Sequence, residues 1–453
     1  MGLVFASAAM LLVSAFGAEL TYLTPAQSKS AQDLIESAME SSFGYERLAE
    51  LCDRFGPRFS GSQALEDSID WILEAMRTDG LENVRGERVE VPHWVRGKES
   101  LAMVYPREEA LPMLGLGGSI ATPEAGIEAS VLVVSSFDEL REKAAQAKGR
   151  IVLFNAPFTE YRETVVFRVR GAIEAAKVGA VASLIRSVGP VSLQTPHTGG
   201  MAYEDGVAKI PHAAITLEDA ERLHRFQERG LRPRIRLMME AESFGNTSSR
   251  NVVAEIVGRE RPEEIVVVSG HIDSWDVGQG AQDDGGGCLV AWEAVRLMKR
   301  LGLRPRRTVR VVLWTNEENG TRGAKAYVKQ HADQLDKHVL AIESDTGIGR
   351  PYGFAFTGSD SAGVRVREIG NQLEKLGSDK ITLGAGGADV RHLLMAGGVP
   401  IMDLNVDRTK YFWYHHTHAD TVDKIDPSAF RKCVATMAVM AYLVADLEES
   451  LPR

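Results

Sequence analysis

The chain has 453 residues, of which 44% are hydrophobic and 25% are charged, proportions typical of a soluble globular protein of two or three domains. There are 52 Lys and Arg and 62 Asp and Glu, so the formal net charge is −10. This acidic balance argues against a nucleic-acid partner, which requires a basic surface. The three cysteines show no CxxC spacing, which excludes a cysteine-ligated zinc module and a redox dithiol.

Residues 3–16 form an unbroken apolar run, LVFASAAMLLVSAF. The run is too short to span a bilayer but has the length of a signal-peptide core, and small residues at 15 and 17 predict removal of 1–17. The alternative is a buried first helix, because no Lys or Arg precedes the run. No later segment has the ~18 uninterrupted apolar residues of a membrane span. We therefore expect a protein without a membrane span that is secreted or resides in the lumen of the lysosome, ER or Golgi.

Two Asn-x-Ser/Thr sequons are present, at Asn246 and Asn319. Asn246 lies in a polar stretch over 243–251 that is typical of a surface connection, so it is the glycosylation candidate. Asn319 directly follows the acidic pair Glu317-Glu318, where a glycan would block chemistry at that pair.

After the leader, residues 18–44 are expected to form a helical segment or a propeptide, since Thr24-Pro25 is typical of an N-cap with proline at the first helical position. Residues 45–103 are expected to form the first part of the main domain. The helices predicted up to this point cover 25–40 and 44–55, and a third begins after Ser62.

Between 104 and 249 short β-like apolar runs alternate with Gly, Pro and polar turns, and one amphipathic helix fits 170–178. This block contains almost no paired acids and histidines. We therefore predict that 104–249 is a separate, β-rich domain inserted into the main domain.

From Asn251 onward, buried-strand patterns alternate with helical patterns. The predicted strands are 265–268, 309–313, 339–342 and 400–404, and the predicted helices are 286–300, 322–331, 361–376, 390–395 and 427–448. Alternation of this kind predicts an α/β fold with a mixed, mostly parallel sheet covered by helices on both faces. Residues 250–453 are thus the second part of the main domain.

Acids and histidines directly follow the predicted strands. His271 and Asp273 follow the first strand, Glu317 and Glu318 the second, and Asp345 the third. Each pair taken alone is more often a surface turn or a solvated helix start. However, the carboxyl ends of parallel strands meet at one edge of a sheet, where ligands bind, so the coincidence favours a single site.

Two further motifs belong with these strand ends. Asp283-Asp284-Gly-Gly-Gly lies between the first two strands, and Tyr-His-His-Thr-His-Ala-Asp covers 414–420. Imidazoles and carboxylates without cysteine suit a catalytic zinc site. The residues alone leave His415, His416 and His418 as competing ligands.

Together these motifs resemble the co-catalytic two-zinc exopeptidases, the family of aminopeptidase-like and transferrin-receptor-like proteins. The stretches SGHIDSWDVGQGAQDDGGG, LWTNEE and KYFWYHHTHADTV carry the resemblance, which extends from about residue 45 to the C-terminus. It implies the zinc exopeptidase fold, two Zn²⁺ per chain and a homodimer. It also implies that the inserted block, with GRIVLF at 149–154 and IPHAAIT at 210–216, is a protease-associated domain.

The resemblance implies a role for each residue of the motifs. The implied metal ligands are His271 and Asp345 for one zinc, Glu318 and His416 for the other, and Asp283 as a bridge between them. Asp273 and Asp420 would orient the two histidines through their second ring nitrogens. Glu317 would be the general base. The Asp283–Asp284 peptide bond is expected to be cis.

The function that the resemblance implies is a carboxypeptidase or dipeptidase acting on dipeptides or short peptides with free termini. An aminopeptidase is the alternative on the same scaffold, since both would use the same metals and base. A non-catalytic, receptor-like ectodomain is the alternative from another class, and the complete set of ligands argues against it.

Overall fold

The computed structural model describes residues 22–453, and the predicted signal peptide over 1–17 lies outside the described residues. The strands are β1 (Glu82–Val95), β2 (Glu99–Tyr105), β3 (Glu109–Leu111), β4 (Met113–Gly115), β5 (Ile127–Val134), β6 (Ile151–Phe154), β7 (Ala182–Arg186), β8 (His212–Ile215), β9 (Arg234–Met239), β10 (Glu242–Ile256), β11 (Arg261–His271), β12 (Arg307–Trp314), β13 (His338–Glu343), β14 (Pro351–Thr357), β15 (Lys380–Leu383) and β16 (Ile401–Val406). The helices are α1 (Pro25–Glu40), α2 (Phe43–Phe55), α3 (Gln63–Thr78), α4 (Phe137–Glu142), α5 (Ala144–Ala147), α6 (Tyr161–Lys177), α7 (Leu217–Glu228), α8 (Gly286–Arg300), α9 (Arg322–Gln330), α10 (Asp360–Asn371), α11 (Val390–Gly397), α12 (Tyr411–Tyr414) and α13 (Pro427–Asp446).

The first sheet has eight strands in the order β1-β10-β12-β11-β13-β16-β14-β15. Its centre, β12-β11-β13-β16, is parallel, and these are the four strands predicted from their apolar runs. β1, β10 and β14 add antiparallel pairs, so the sheet is mixed and the predicted fold class is confirmed. β1 was missed because its residues are only partly buried and carry many charges.

Helices cover both faces of this sheet. α1 begins as predicted, with the Thr24 hydroxyl accepting a hydrogen bond from the N–H of Gln27 and proline at the first helical position. α13 packs against α1 and α8 in the core. Among residues 22–453, α13 is the one helix long and apolar enough to cross a membrane, but 78% of its apolar window is buried inside the protein, as expected of a core helix.

The second sheet also has eight strands, in the order β3-β2-β9-β5-β6-β7-β8-β4. We call the part of the chain between Glu99 and Met239, which forms it, the inserted unit. The inserted unit begins before the predicted boundary at 104 and ends before 249. Its helix α6 starts at Tyr161, earlier than the predicted helix over 170–178.

The composition of the polar stretch over 243–251 predicted a surface loop. The structure instead places this stretch in β10. It pairs with β1, and Asn246 lies opposite Pro92. The side chain of Asn246 is exposed and accepts a hydrogen bond of 3.0 Å from Arg322. Backbone pairing with β1 therefore overrides the local preference of this polar sequence for a turn.

The inserted unit contacts the main domain at the carboxyl ends of the central strands. Trp275, shortly after β11, stacks on Phe59 with ring centroids 4.7 Å apart and lies against Gly117 of the inserted unit. A Cβ atom at position 117 would come within 2.1 Å of the Trp275 ring, so only glycine permits this contact. The contact brings the inserted unit over the edge where the acids and histidines gather.

Candidate metal centre

The first half of the site is formed around His271, the last residue of β11. Its Nε2 lies 3.1 Å from Oδ1 of Asp345, which follows β13, and 3.3 Å from Oδ1 of Asp283 in the turn before α8. Candidate ligand atoms of these three residues all lie within 4.8 Å of one another. The parallel order of β11 and β13 thus brings together residues that are far apart in the chain.

The second half of the site is formed around His416. Its Nε2 lies 3.0 Å from Oε2 of Glu318, which follows β12, and 3.2 Å from Oδ2 of Asp283. Asp283 therefore directs one carboxylate oxygen to each histidine. The Asp283–Asp284 peptide bond is cis, as the family resemblance predicts.

Of the three competing histidines, His415 and His416 enter the site and His418 does not. The His415 ring stacks on His416 at a centroid distance of 3.5 Å, and its Nε2 lies 3.5 Å from Oδ2 of Asp283. Burial, followed by the charge of His416, lowers the pKa of His415 well below its usual value. His418 is exposed. The site thus contains a third imidazole that the motif comparison did not assign.

The carboxylates control the protonation of the two principal histidines. Burial alone would lower the pKa of His416, but Glu318 and Asp283 outweigh burial and raise it to about 10. Burial would also lower the pKa of His271, but the nearby carboxylates, chiefly Asp345, raise it well above its usual value. The site therefore strongly favours positive charge between its carboxylates.

Glu317 lies at the same edge and differs from its neighbours because no histidine contacts its carboxylate. Burial, with the nearby charge of Asp345 and Glu318, raises the pKa of Glu317 well above its usual value. Burial is also the main reason why the pKa of Glu318 rises to about 7. A raised carboxyl pKa is the property expected of a group that accepts and returns a proton near neutral pH.

The role expected of Asp273 requires a correction. Nδ1 of His271 lies 2.9 Å from the main-chain oxygen of Asp273 and 3.8 Å from its carboxylate. The carboxylate instead accepts hydrogen bonds from the N–H groups of Glu317, at 3.0 Å, and Glu318, at 3.3 Å. The extended backbone after His271 turns the Asp273 side chain toward the neighbouring strand end, so it orients the acidic pair.

The role expected of Asp420 is corrected in the same way. Its carboxylate accepts hydrogen bonds from the N–H groups of Ala281, Gln282 and Asp283, at 3.1, 2.7 and 3.2 Å. Nδ1 of His416 faces the main-chain oxygen of Thr198 in the inserted unit, at 3.3 Å. Asp420 therefore anchors the turn that carries Asp283, while the inserted unit orients His416.

Sequence reasoning missed Arg58, which is fully buried. Its guanidinium donates to the main-chain oxygens of Ile272 at 2.9 Å, Gln279 at 2.7 Å and Gly280 at 3.0 Å. It thereby holds the loop between His271 and Asp283. No local signal marks Arg58, because all its carbonyl partners except Gly56 lie more than 200 positions away.

The site opens into a cavity of about 680 Å³. Carboxylates of the main domain form one side, and α6 of the inserted unit contributes Tyr161, Arg162 and Arg168. Tyr411 and Phe412 also line it, so this aromatic pair belongs to the pocket. A cavity of this size is suited to a small ligand.

The residues fit a divalent metal. Oε1 of Glu318 is buried and has no hydrogen-bond partner among the described residues. Buried carboxylate oxygens without partners are costly, and a metal ion would satisfy them. Imidazole nitrogen and carboxylate oxygen, without thiolate, form the donor set of catalytic zinc sites.

Residues 251–441 match the model of peptidase family M28. Relatives that match nearly the whole chain show that it belongs to this family and is a hydrolase of the metallo-exopeptidase class. Within the family it is similar to carboxypeptidase Q of Mus musculus, with 51% identity over 90% of this chain and 87% of the mouse protein. Carboxypeptidase Q of Homo sapiens is 50% identical over 90% of this chain and 86% of the human protein. The resemblance predicted from the motifs is confirmed.

Solved structures agree with this classification. The crystal structure of a peptidase M28 precursor from Shewanella amazonensis is 37% identical and superposes with a TM-score of 0.90, covering 94% of this chain and 98% of that chain. The zinc aminopeptidase BSAP from Bacillus subtilis, at 21% identity and a TM-score of 0.68, covers 90% and 98% of the two chains. The latter likeness shows a shared fold.

Proposed function

We propose that this metallo-exopeptidase uses two zinc ions to hydrolyse dipeptides or short peptides with free termini. The proposed ligands are His271 and Asp345 for one ion, Glu318 and His416 for the other, and Asp283 for both. The observation that carries the proposal is the position of Asp283, whose oxygens lie 3.3 and 3.2 Å from Nε2 of His271 and of His416. A carboxylate between two imidazole–carboxylate pairs is the arrangement that a two-metal site requires.

When bound, zinc supplies Lewis acidity toward the substrate carbonyl and the attacking water. Glu317 is the proposed catalytic base, which takes a proton from that water and delivers it to the departing amine. Its raised pKa, caused mainly by burial, suits both transfers. Asp273 holds the main chain of Glu317 and so keeps the carboxylate directed at the cavity.

The proposed specificity is that of a carboxypeptidase. The name carboxypeptidase Q of relatives about half identical to this chain supports it, whereas the aminopeptidase YwaD of Bacillus subtilis is only 25% identical. Arginines at 162, 168 and 408 line the cavity, which favours a ligand with a free carboxylate. An aminopeptidase remains the second candidate, because the cavity also carries surplus carboxyl groups such as Glu343 and Asp403.

The decisive experiment replaces the base and leaves the ligands intact. Glu317→Gln should keep both metals while kcat falls roughly 10²- to 10⁴-fold, because an amide cannot accept the proton. Metal content is measured by elemental analysis, and turnover on a dipeptide by release of the N-terminal amino acid. Asp283→Ala should lose metal as well as turnover, and Glu374→Gln, an exposed surface change, should alter neither. Retained turnover in Glu317→Gln would overturn the assignment.

We also propose that the inserted block predicted over 104–249 is a protease-associated domain. Segment 18–44 is proposed to be either retained as a helical segment or removed as a propeptide. The chain is further proposed to form a homodimer. Light scattering on the purified protein measures its mass, and a monomer at working concentration would contradict the dimer. The helical alternative for 18–44 is supported by α1, which packs against α13.

The protein is further proposed to be secreted or luminal, in the lysosome, ER or Golgi. Mass spectrometry of the mature protein should then find Ala18, or a later residue, at the N-terminus, and an N-terminus at Met1 or Gly2 would contradict secretion. The exposure of Asn246 supports glycosylation at that residue. Asn246→Gln should then abolish the mass shift on enzymatic deglycosylation.

A further inference from the structure

The turn that carries the proposed base begins at a buried asparagine with an unusual backbone conformation. Asn316 directly precedes Glu317, is fully buried and has a φ of 64°. Asparagine enters this left-handed region more readily than most residues, because its short polar side chain can bond locally. Thr321, at the far end of the turn, has a φ of 49°, which is unfavourable for a β-branched residue. Surrounding contacts must therefore hold the turn in this shape.

The Asn316 side chain joins this turn to a distant segment of the chain. Its Nδ2 donates to the hydroxyl oxygen of Ser60 at 2.9 Å, across 256 positions of the sequence. The same NH₂ group donates to Oδ1 of Asn319 within the turn. Ser60 is only 1% exposed, so water has little access to replace its bond to Asn316.

Ser60 in turn connects Asn316 to Asp273. The Ser60 hydroxyl donates to Oδ2 of Asp273 at 3.3 Å. The Asp273 carboxylate accepts from the N–H groups of Glu317 and Glu318, and Glu317 is covalently joined to Asn316. The contacts therefore close a ring around the peptide that enters Glu317. Such a ring restricts the direction of that peptide more than a single hydrogen bond would.

The segment that carries Ser60 is itself fixed to the main domain. The N–H of Arg58 donates to the hydroxyl of Ser274 at 3.0 Å, and the N–H of Ser274 donates to the main-chain oxygen of Arg58 at 3.1 Å. Phe59 stacks on Trp275. Ser60 follows these two anchored residues, so its hydroxyl has a defined position beside the turn.

The amide of Asn316 is confined from the other side by Gly320. A Cβ atom at position 320 would lie 2.7 Å from Oδ1 of Asn316, so a side chain there would displace the amide. Oδ1 is buried and has no hydrogen-bond partner among residues 22–453. The reverse orientation of the amide would place Oδ1 against the side-chain oxygen of Asn319. The observed orientation, with NH₂ toward Ser60, is therefore the favoured one.

We propose that Asn316 and Ser60 are positioning residues for the proposed base, and that they act through Asp273 to keep the Glu317 carboxylate directed at the attacking water. This inference rests on the function proposed above. Neither side chain lines the cavity, so neither touches the substrate. A small displacement of a catalytic group can lower turnover about 100-fold, and the effect of losing these contacts should therefore fall on kcat rather than on KM.

The test measures kcat, KM and zinc content for Asn316→Gly, Ser60→Ala and the double variant on a dipeptide. Glycine accepts the left-handed backbone and removes the amide, whereas alanine removes the hydroxyl alone. Each single variant should lower kcat roughly 10- to 100-fold at full zinc occupancy, with KM changed by no more than about threefold. Because the two residues act through one series of contacts, the double variant should lose no more than about threefold beyond the larger single loss. Asn371→Gly, at an exposed asparagine that ends α10, is the matched control and should leave kcat unchanged.

Unchanged kcat in either folded single variant would overturn the proposal. Losses that multiply in the double variant would also overturn it, because they would show two independent contributions. If urea unfolding shows that Asn316→Gly does not fold, Ser60→Ala decides by its kcat at full zinc occupancy. A variant that loses zinc while its zinc-loaded fraction keeps the wild-type kcat would assign the pair to holding the fold, against the proposal. A zinc-loaded wild type that cleaves no dipeptide would instead overturn the proposed function itself.

Discussion

Two contacts join the main chain of Thr198 to His416 across the boundary between the inserted unit and the main domain. The N–H of Thr198 donates to the main-chain oxygen of His416 at 2.9 Å, and the main-chain oxygen of Thr198 lies 3.3 Å from Nδ1 of His416. His416 has a positive φ of 61°, a conformation that a non-glycine residue adopts only when its surroundings hold it there. The inserted unit therefore orients one of the proposed ligands.

We predict that Thr198→Val weakens this contact. The Thr198 hydroxyl is buried, donates to the main-chain oxygen of Gly115 at 2.9 Å and accepts from Arg96 at 3.2 Å. The change keeps the shape but removes both hydrogen bonds, so the free energy of unfolding should fall by about 1–3 kcal/mol and zinc affinity should fall with it. Urea unfolding and a zinc titration measure the two effects. Thr78→Val, at an exposed helix end, is the control, and equal effects in the two variants would contradict the prediction.

Asp420→Asn should reduce zinc affinity without unfolding the protein. The amide keeps one acceptor oxygen where the carboxylate uses two to hold three N–H groups of the turn that carries Asp283. Outer partners of metal ligands are typically worth about 10- to 100-fold in affinity. Competition with a chelator of known affinity measures the loss. Asp423→Asn, an exposed acid nearby, should leave affinity unchanged, and wild-type affinity in Asp420→Asn would refute the anchoring role.

Asp273→Asn should act on turnover more than on metal content. The Asp273 carboxylate holds the N–H groups of Glu317 and Glu318, and an asparagine that directs its NH₂ toward them would repel those donors. We expect kcat to fall at full zinc occupancy because the Glu317 carboxylate is displaced from the attacking water. Turnover is measured with the zinc content of each sample determined in parallel. Normal kcat together with loss of zinc would instead assign Asp273 to holding the metal.

Arg58→Met should destabilise the fold around the site. Methionine has similar volume but leaves the main-chain oxygens of Ile272 and Gln279 without their donor. Leaving a buried acceptor without its donor typically costs about 1–3 kcal/mol. Arg54→Met removes an exposed arginine that pairs with Glu50 and should cost less than about 1 kcal/mol. Similar unfolding midpoints in urea for the two variants would disprove the role given to Arg58.

Stability should fall in mild acid because of His338. Burial lowers the pKa of His338 to about 4, and the ring lies 2.9 Å from the Tyr327 hydroxyl and 2.9 Å from the main-chain oxygen of Gln334. A lowered pKa means that the unfolded chain binds the proton first. The stabilisation is therefore complete above the ordinary histidine pKa of about 6.5 and is lost as the pH falls from about 6.5 toward 4.

The His338 contribution to this loss should reach about 2 kcal/mol at pH 5. It is measured as the difference between wild type and His338→Gln in urea unfolding at pH 7.5 and at pH 5, because the variant cannot titrate at this position. Burial also lowers the pKa values of His197 and His212 to about 4. Both residues are present in wild type and variant, so their effect on the free energy of unfolding cancels in the difference. Parallel pH dependence of wild type and variant would contradict the prediction.

The α/β fold class, the four central strands and the positions where acids and histidines gather could be predicted from the amino-acid sequence. This was possible because burial on both faces imposes continuous apolar runs on parallel strands, and because ligands bind where such strands end. His271, Glu317, Glu318 and Asp345 all follow strands that the apolar runs identify, and they meet at one site in the structure.

The surroundings of those residues depend on long-range packing and could not be predicted from the sequence. The carboxylates of Asp273 and Asp420 hold neighbouring main chain rather than histidine rings, because the direction of a side chain depends on a backbone path that spacing does not encode. Arg58 and Arg168 carry no motif. Arg58 bonds to main-chain oxygens of a distant loop, and Arg168 of the inserted unit lies 3.4 Å from His416 of the main domain. Long-range packing places the inserted unit against His416. Because of this packing, Arg168 on α6 lines the catalytic cavity.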